Sequence, residues 1–399
     1  MENLHLFGDA VGGAEAIIDL NSQNLISTAT STAKLYDFGD DLWLKGFEKR
    51  ISGLNSTNLH LTGRLYYKVF FLMALRNRLL VTDKIKTCPA ILDEKISCPV
   101  IITGLPRTGT TFLFELLSQD KRFHCPIAKE ALCPIEPPKY MLKGGIDRKT
   151  IVQTLQSIFL SHSQLKAMHY INYDRPVECY SVMEALLNSQ VPEILNNNYD
   201  KWLKDIDAEN NYKWHKTILS LLQYEKPTKK WILKCPYHLN HLEKLFNYYP
   251  DAQVIHTHRD PRNAVSSLLN ASKKENELYT NDPTNTESLK RLIVPLEGSL
   301  KKSISQRKTG AIPEQQITDV YFNDLVKNPI STIESIYQKI GLRINREFRE
   351  NLSAYIKENP RNKHGKYSYK ATEFGLSDQD ILNRFKFYTD HYHIKLSAK

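Results

Sequence analysis

The stretch PVIITGLPRTGTTFLFELL, residues 99–117, decides the fold. Val100 to Thr103 is a short apolar run rich in β-branched residues, which favours an extended chain. Gly104 ends it, a loop follows, and the amphipathic spacing from Thr110 to Leu117 predicts a helix. The same strand, turn and helix order recurs downstream. Trp231–Leu233 precedes a helical segment over His238–Tyr248, and Gln253–Thr257 precedes one over Pro261–Ala271. Ile317–Phe322 precedes a helix over Pro329–Ile340, which Gly341 stops. Buried apolar strands alternating with helices predict an α/β fold, a mostly parallel central sheet with helices on both faces. In such sheets a ligand sits at the carboxyl ends of the strands.

Upstream, the apolar spacing from Asp41 to about Leu80 is helical, and Gly53–Asn55 divides it into at least two helices, an N-terminal helical layer. Residues 1–32 are rich in Ser, Thr and Asn, with one short helical candidate at Ala14–Leu20, and read as a loosely packed lead-in. Residues 140–230 read as a helical insertion or lid bearing the acceptor pocket. The expected division is 1–95 for the helical extension, packed on the core, and 96–399 for the α/β domain.

The 399 residues, 41% hydrophobic and 25% charged, suffice for a sizeable core without disulfides or metals. No apolar run is long enough to span a bilayer, and MENLHLFGDA lacks the layout of a secretory signal. The six cysteines include no CxxC pair, which suits reduced thiols in a cytoplasmic protein. The net charge of +10, from 54 basic and 44 acidic residues, is spread without long basic blocks. A small, highly anionic ligand explains it as well as nucleic acid or an acidic membrane would, and the thin spread of charge disfavours nucleic acid.

Residues 104–111, GLPRTGTT, have the glycine spacing of a Walker A loop, with Thr110 where its lysine would stand. A curled glycine loop ahead of a helix N-terminus aims backbone N–H groups and a partial positive charge at an anion. Arg107 adds a fixed fork for phosphate or sulfate oxygens, and Thr108, Gly109, Thr110 and Thr111 complete the cradle. A kinase would need the missing lysine on the β- and γ-phosphates. The loop therefore suits a 5′-phosphate without a γ-phosphate.

A second signature, HRDPRNAVSS at residues 258–267, also follows a strand. Asp260 suits an N-cap and Pro261 a first helical position. Asn263 and Ser267 then share a helix face, and Arg259 at the strand end can join Ser267 around one phosphate.

The first signature resembles the 5′-phosphosulfate loop of sulfotransferases, and HRDPRNAVSS resembles their 3′-phosphate segment. WILKCPYHLNHLEKLFNYYPDAQVIHTHRDP, YFNDLVKNP and HGKYSYKATEFGLSDQDI agree with the bacterial-type family, which includes relatives of the tyrosylprotein sulfotransferases. The resemblance runs from about Asp37 to the C-terminus and is poorest over residues 140–225. It implies a P-loop-like α/β fold and 3′-phosphoadenosine 5′-phosphosulfate (PAPS) as sulfonate donor, with the 3′,5′-bisphosphate PAP as product.

Sulfonate transfer needs cations at the leaving phosphate, in-line placement of the acceptor, and a base for its proton. The resemblance gives Lys234 the contact to the bridging oxygen, beside Arg107. The cytosolic vertebrate enzymes carry their histidine base where this chain has Pro236. Glu130, placed like the glutamate of the tyrosylprotein enzymes, is the candidate base, with an ion-paired structural carboxylate as its alternative and His238 and His169 behind it. His238 and His241, three apart on a helix, lack a third metal ligand, and no metal is expected. Adenine is expected near Tyr321 and Phe322, while Lys363 and Lys366, with His364 and Tyr367, resemble a segment that closes over the donor. Tyr170, Tyr173, Trp202 and Trp214 suit either the acceptor pocket or the core. The acceptor is expected to be a small molecule with a hydroxyl or amine, with no nucleic-acid or membrane partner. A P-loop kinase and an inactive PAP-binding protein are the competing readings.

Overall fold

A computed structural model describes residues 13–142, 147–160, 173–183, 186–187, 199, 202, 206–226, 230–282, 286–360 and 370–397. They form two compact units. One is made of Met1–Lys95, Pro126–Pro227 and Ser272–Ser288, the other of Ile96–Cys125, Thr228–Ala271 and Leu289–Lys399.

The second unit holds a five-stranded sheet in the order β2-β3-β1-β4-β5. The strands are β1 Val100–Gly104, β2 Phe123–His124, β3 Lys230–Lys234, β4 Gln253–His258 and β5 Ile317–Tyr321. Every pair is parallel, with Ile102 opposite Lys234 and Ile255, and His258 opposite Tyr321. The four longer strands fall where the apolar runs place them. β2, two residues at the sheet edge, carries too little pattern to be read. Because β1 sits between β3 and β4, the winding reverses there, and the loop after β1 lies at the switch point where such sheets bind ligands.

Side-chain alternation gives each face its own cover. Val100, Ile102, Ile232, Ile255 and Val320 pack with Leu113, Phe114 and Leu117 of the Thr110–Leu117 helix, and with Leu325, Ile333, Ile336 and Phe348 from later helices. On the opposite face, the 3₁₀ turn Pro236–His241 lies against β1 and the Ile293–Thr309 helix packs on that turn. His238 and His241 therefore sit in a 3₁₀ turn, not the expected α-helix, which starts only at Leu242.

The other unit has a separate core. Leu42–Asn55 and the 27-residue helix Leu61–Thr87 confirm the break expected between two N-terminal helices. Phe47, Phe71 and Leu75 share one apolar cluster with Ala128, Val152, Leu155 and Leu187, which is why residues 126–227 group with the N-terminal helices. The lead-in departs from expectation. Ser22–Ala33 is a helix capped by the Asn21 side chain, and Leu25, Ala29 and Ala33 are buried. Its polar residues conceal it, because the hydroxyls of Thr28, Thr30 and Thr32 bond back to carbonyls four residues earlier.

Among the described residues, no helix is long and apolar enough to cross a membrane. None of the six cysteines, all of them described, is in a disulfide.

Candidate functional site

The loop between β1 and the Thr110–Leu117 helix is built against β4. Gly104 has φ +147, and a Cβ there would lie 2.4 Å from Thr257 Oγ1 and 2.7 Å from the Thr257 carbonyl. Only glycine accepts both the dihedral and the approach. Thr108 is fully buried, and its hydroxyl is taken up by the Leu105 carbonyl at 2.6 Å and the Thr257 hydroxyl at 2.6 Å, which in turn reaches the Thr103 carbonyl at 3.3 Å. What Thr108 offers a ligand is its backbone N–H. Gly109 caps the helix in a left-handed conformation, with no side-chain cap. The first-turn N–H groups thus lack a capping side chain at the positive end of the helix dipole.

Arg107 itself is left-handed, at φ 69. For a residue with a Cβ this costs about 1–2 kcal/mol. The turn is locked by its neighbours. Arg259, directly after β4, donates from Nη1 to the Arg107 carbonyl at 2.7 Å, and Arg107 Nε donates to Ser267 Oγ at 3.0 Å. The sequence grouped Ser267 with Arg259, whereas the structure ties Ser267 to Arg107. Both signatures meet through these bonds, 152 and 160 residues apart in the chain. The helix after Arg259 starts as expected, with the Asp260 carboxylate accepting the Arg262 N–H at 3.0 Å.

Lys234 ends β3 with its side chain on the face covered by the Thr110–Leu117 helix. It is 2% exposed, donates to Thr111 Oγ1 at 3.3 Å, and lies 5.9 Å from the Phe114 ring centre. Arg107, Arg259 and Lys234 thus surround one loop and one helix start, an arrangement suited to a multiply charged anion.

Phe322 carries the Arg259 guanidinium on its ring face at 4.0 Å, and a Cβ on Gly109 would lie 2.8 Å from Phe322 Cδ2. Tyr321 turns to the other sheet face, where its hydroxyl donates to the Tyr392 carbonyl at 3.1 Å. Tyr321 ends β5 and Phe322 begins the next helix, so Phe322 is the aromatic that joins the loop.

Glu130 belongs to the other unit, in the short helix Ala128–Leu132. It is 2% exposed and accepts Lys226 Nζ at 2.6 Å, the ion pair expected of the structural alternative. Tyr173 lies under Lys129, Trp202 beside Tyr199, and Trp214 is buried against Arg78. His169, Tyr170, Lys363, His364, Lys366 and Tyr367 lie outside the described residues.

Sequence reasoning missed the polar network on the sheet face behind Arg259. Asp319 takes both Nη groups of Arg307, at 2.7 and 2.8 Å, and His258 Nε2 at 2.8 Å. Burial alone would raise the Asp319 carboxyl, but the bonds from Arg307 and His258 outweigh it and hold the group far below the usual carboxylate range. His256, His258 and Asp319 bring three potential ligand atoms within 4.8 Å of one another. The Arg307 fork occupies both carboxylate oxygens with a fixed cation, which fits an ion-pair network rather than a metal. Alternation at period two could have placed His256, His258, Asp319 and Tyr321 on one face, but not the arginine that joins them.

Residues 99–346 match the family model described as "Sulfotransferase family". Two curated relatives are each named omega-hydroxy-beta-dihydromenaquinone-9 sulfotransferase Stf3, from Mycobacterium bovis (strain ATCC BAA-935 / AF2122/97) and Mycobacterium tuberculosis (strain CDC 1551 / Oshkosh). Each is 23% identical over 298 residues, covering 72% of this chain and 74% of its own length. Among solved structures, sulfotransferase STF9 from Mycobacterium avium superposes with a TM-score of 0.81 at 24% identity, over 95% of this chain and 98% of its own. Sulfotransferase STF1 from Mycobacterium tuberculosis H37Rv gives 0.75 at 25% identity, over 92% and 98%.

Proposed function

The chain belongs to the sulfotransferase family, and from that premise we propose that this enzyme takes its sulfonate group from PAPS and passes it to a small-molecule hydroxyl or amine. The observation that carries the donor assignment is the Arg259–Arg107 contact. It joins a loop suited to a 5′-phosphosulfate to a segment suited to a 3′-phosphate. The N–H groups of residues 108–111 and the Arg107 fork would hold the 5′ end. Arg259 would hold the 3′-phosphate, and Phe322 the adenine. As the sulfonate leaves, negative charge grows on the phosphate oxygen it departs from. Lys234, at the end of β3, would meet that charge. Fixed cations carry the load, and the reading calls on no metal. The relatives are named for an omega-hydroxylated quinone, which favours a hydroxyl acceptor. Cysteines outside disulfides suit a cytoplasmic setting.

Calorimetry with PAP, adenosine 5′-monophosphate and ATP tests the donor. PAP should bind most tightly, and Arg259→Ala should weaken PAP by about 10²-fold, the loss of charge-assisted bonds to phosphate, while weakening the monophosphate far less, through the lost bond to the Arg107 carbonyl alone. Tighter binding of ATP would return the kinase reading.

For the acceptor's proton we assign Glu130, on the resemblance and on its near-complete burial. Glu130→Gln keeps the shape and removes the base, so kcat should fall by about 10²-fold or more with PAP affinity retained. An unchanged kcat would leave Glu130 with its structural role toward Lys226.

A further inference from the structure

We propose that Tyr388, fixed by His258 and Asp319, is a positioning residue that sets Arg259 for the donor's 3′-phosphate. The inference rests on the donor reading above and adds Tyr388 and Asp319, which neither signature contains.

Tyr388 is fully buried. Its hydroxyl lies 3.3 Å from His258 Nδ1, 3.2 Å from the Arg259 N–H and 3.4 Å from the Arg259 carbonyl. One hydroxyl hydrogen cannot serve both His258 and that carbonyl, and Asp319 decides which it serves. An ionised carboxylate only accepts, so His258 must donate to it from Nε2 at 2.8 Å. Burial keeps His258 neutral by lowering its affinity for a second proton, despite the opposing pull of Asp319. A neutral ring with its proton on Nε2 leaves Nδ1 bare, so Tyr388 donates to Nδ1. The Tyr388 oxygen then presents a lone pair to the Arg259 N–H. Each bond's direction follows from the charge on Asp319, which Arg307 holds with a bidentate fork.

The backbone atom held this way is the amide of Arg259, whose side chain bonds the Arg107 carbonyl and lies on Phe322. A shift at that amide would move the guanidinium directly against the 3′-phosphate, and would reach the 5′ loop only through the Arg107 carbonyl, where Ser267 also holds Arg107. A tyrosine that merely filled the core would couple to both ends of the nucleotide or to neither.

The experiment compares full-length wild type and Tyr388→Phe by calorimetry with PAP and with adenosine 5′-monophosphate, which lacks the 3′-phosphate. We expect PAP to weaken by about tenfold, since phenylalanine removes the oxygen that accepts the Arg259 N–H, and the monophosphate to weaken clearly less. In turnover, KM for PAPS should rise with kcat at saturation retained. Equal weakening of both nucleotides, or of neither, overturns the proposal. Wild type with no preference for PAP over the monophosphate would instead overturn the donor reading itself. Should Tyr388→Phe fold poorly, nitrogen NMR of wild type with isotope-labelled histidine decides. His258 protonated on Nε2 supports the arrangement, and protonation on Nδ1 overturns it.

Discussion

Lys234→Met is expected to lower kcat by about 10²–10³-fold, the usual result of removing one preorganised donor from a developing oxyanion. Lys234 is 2% exposed at the end of β3, between Thr111 and the Phe114 ring. Methionine keeps most of the volume and discards a buried charge, so the melting temperature should hold or rise. Affinity for PAPS should change far less than kcat, because the bridging oxygen gains its charge only as the sulfonate departs. Single-turnover measurements over a range of PAPS concentrations separate the two quantities. A variant that binds PAPS poorly but turns over normally would give Lys234 to ground-state binding. The departing oxygen would then need another partner.

Gly104→Ala should have the largest effect on stability. Two independent penalties meet there: a backbone dihedral that residues with a Cβ rarely adopt, and a methyl group 2.7 Å from the Thr257 carbonyl oxygen. Together they amount to on the order of 4 kcal/mol, a large share of the roughly 5–15 kcal/mol that holds a typical protein folded. The clash falls on the β1–β4 pairing, where Gly104 lies opposite Thr257, so relaxation would have to separate the strands that form the switch point. Urea titration should show the midpoint shifted far down, with little folded protein at ordinary growth temperature. A wild-type midpoint would mean that the loop has a second conformation that accepts a side chain.

The strand, loop and helix start that would hold the donor were legible because their pattern is local. A strand of Val and Ile, a glycine loop and a helix start are neighbours in sequence, and so are Arg259, Asp260 and Pro261. The partners across those signatures were not legible. Arg107 and Ser267 meet only because β1 and β4 are adjacent. The bonds from Tyr388 and Arg307 reach the β4 end and β5 from distant helices. The Ser22–Ala33 helix was hidden for a different reason. Its buried stripe is mostly alanine, and its hydroxyls satisfy themselves on its own carbonyls, so neither hydrophobicity nor polarity signals a packed helix.

The bond from Arg259 to the Arg107 carbonyl makes the pocket a caliper whose jaws are set before any nucleotide enters. Selectivity then comes from spacing as much as from charge. An isomer with its second phosphate on the 2′ carbon carries the same charge at a different span, and it should be rejected without any group placed to repel it.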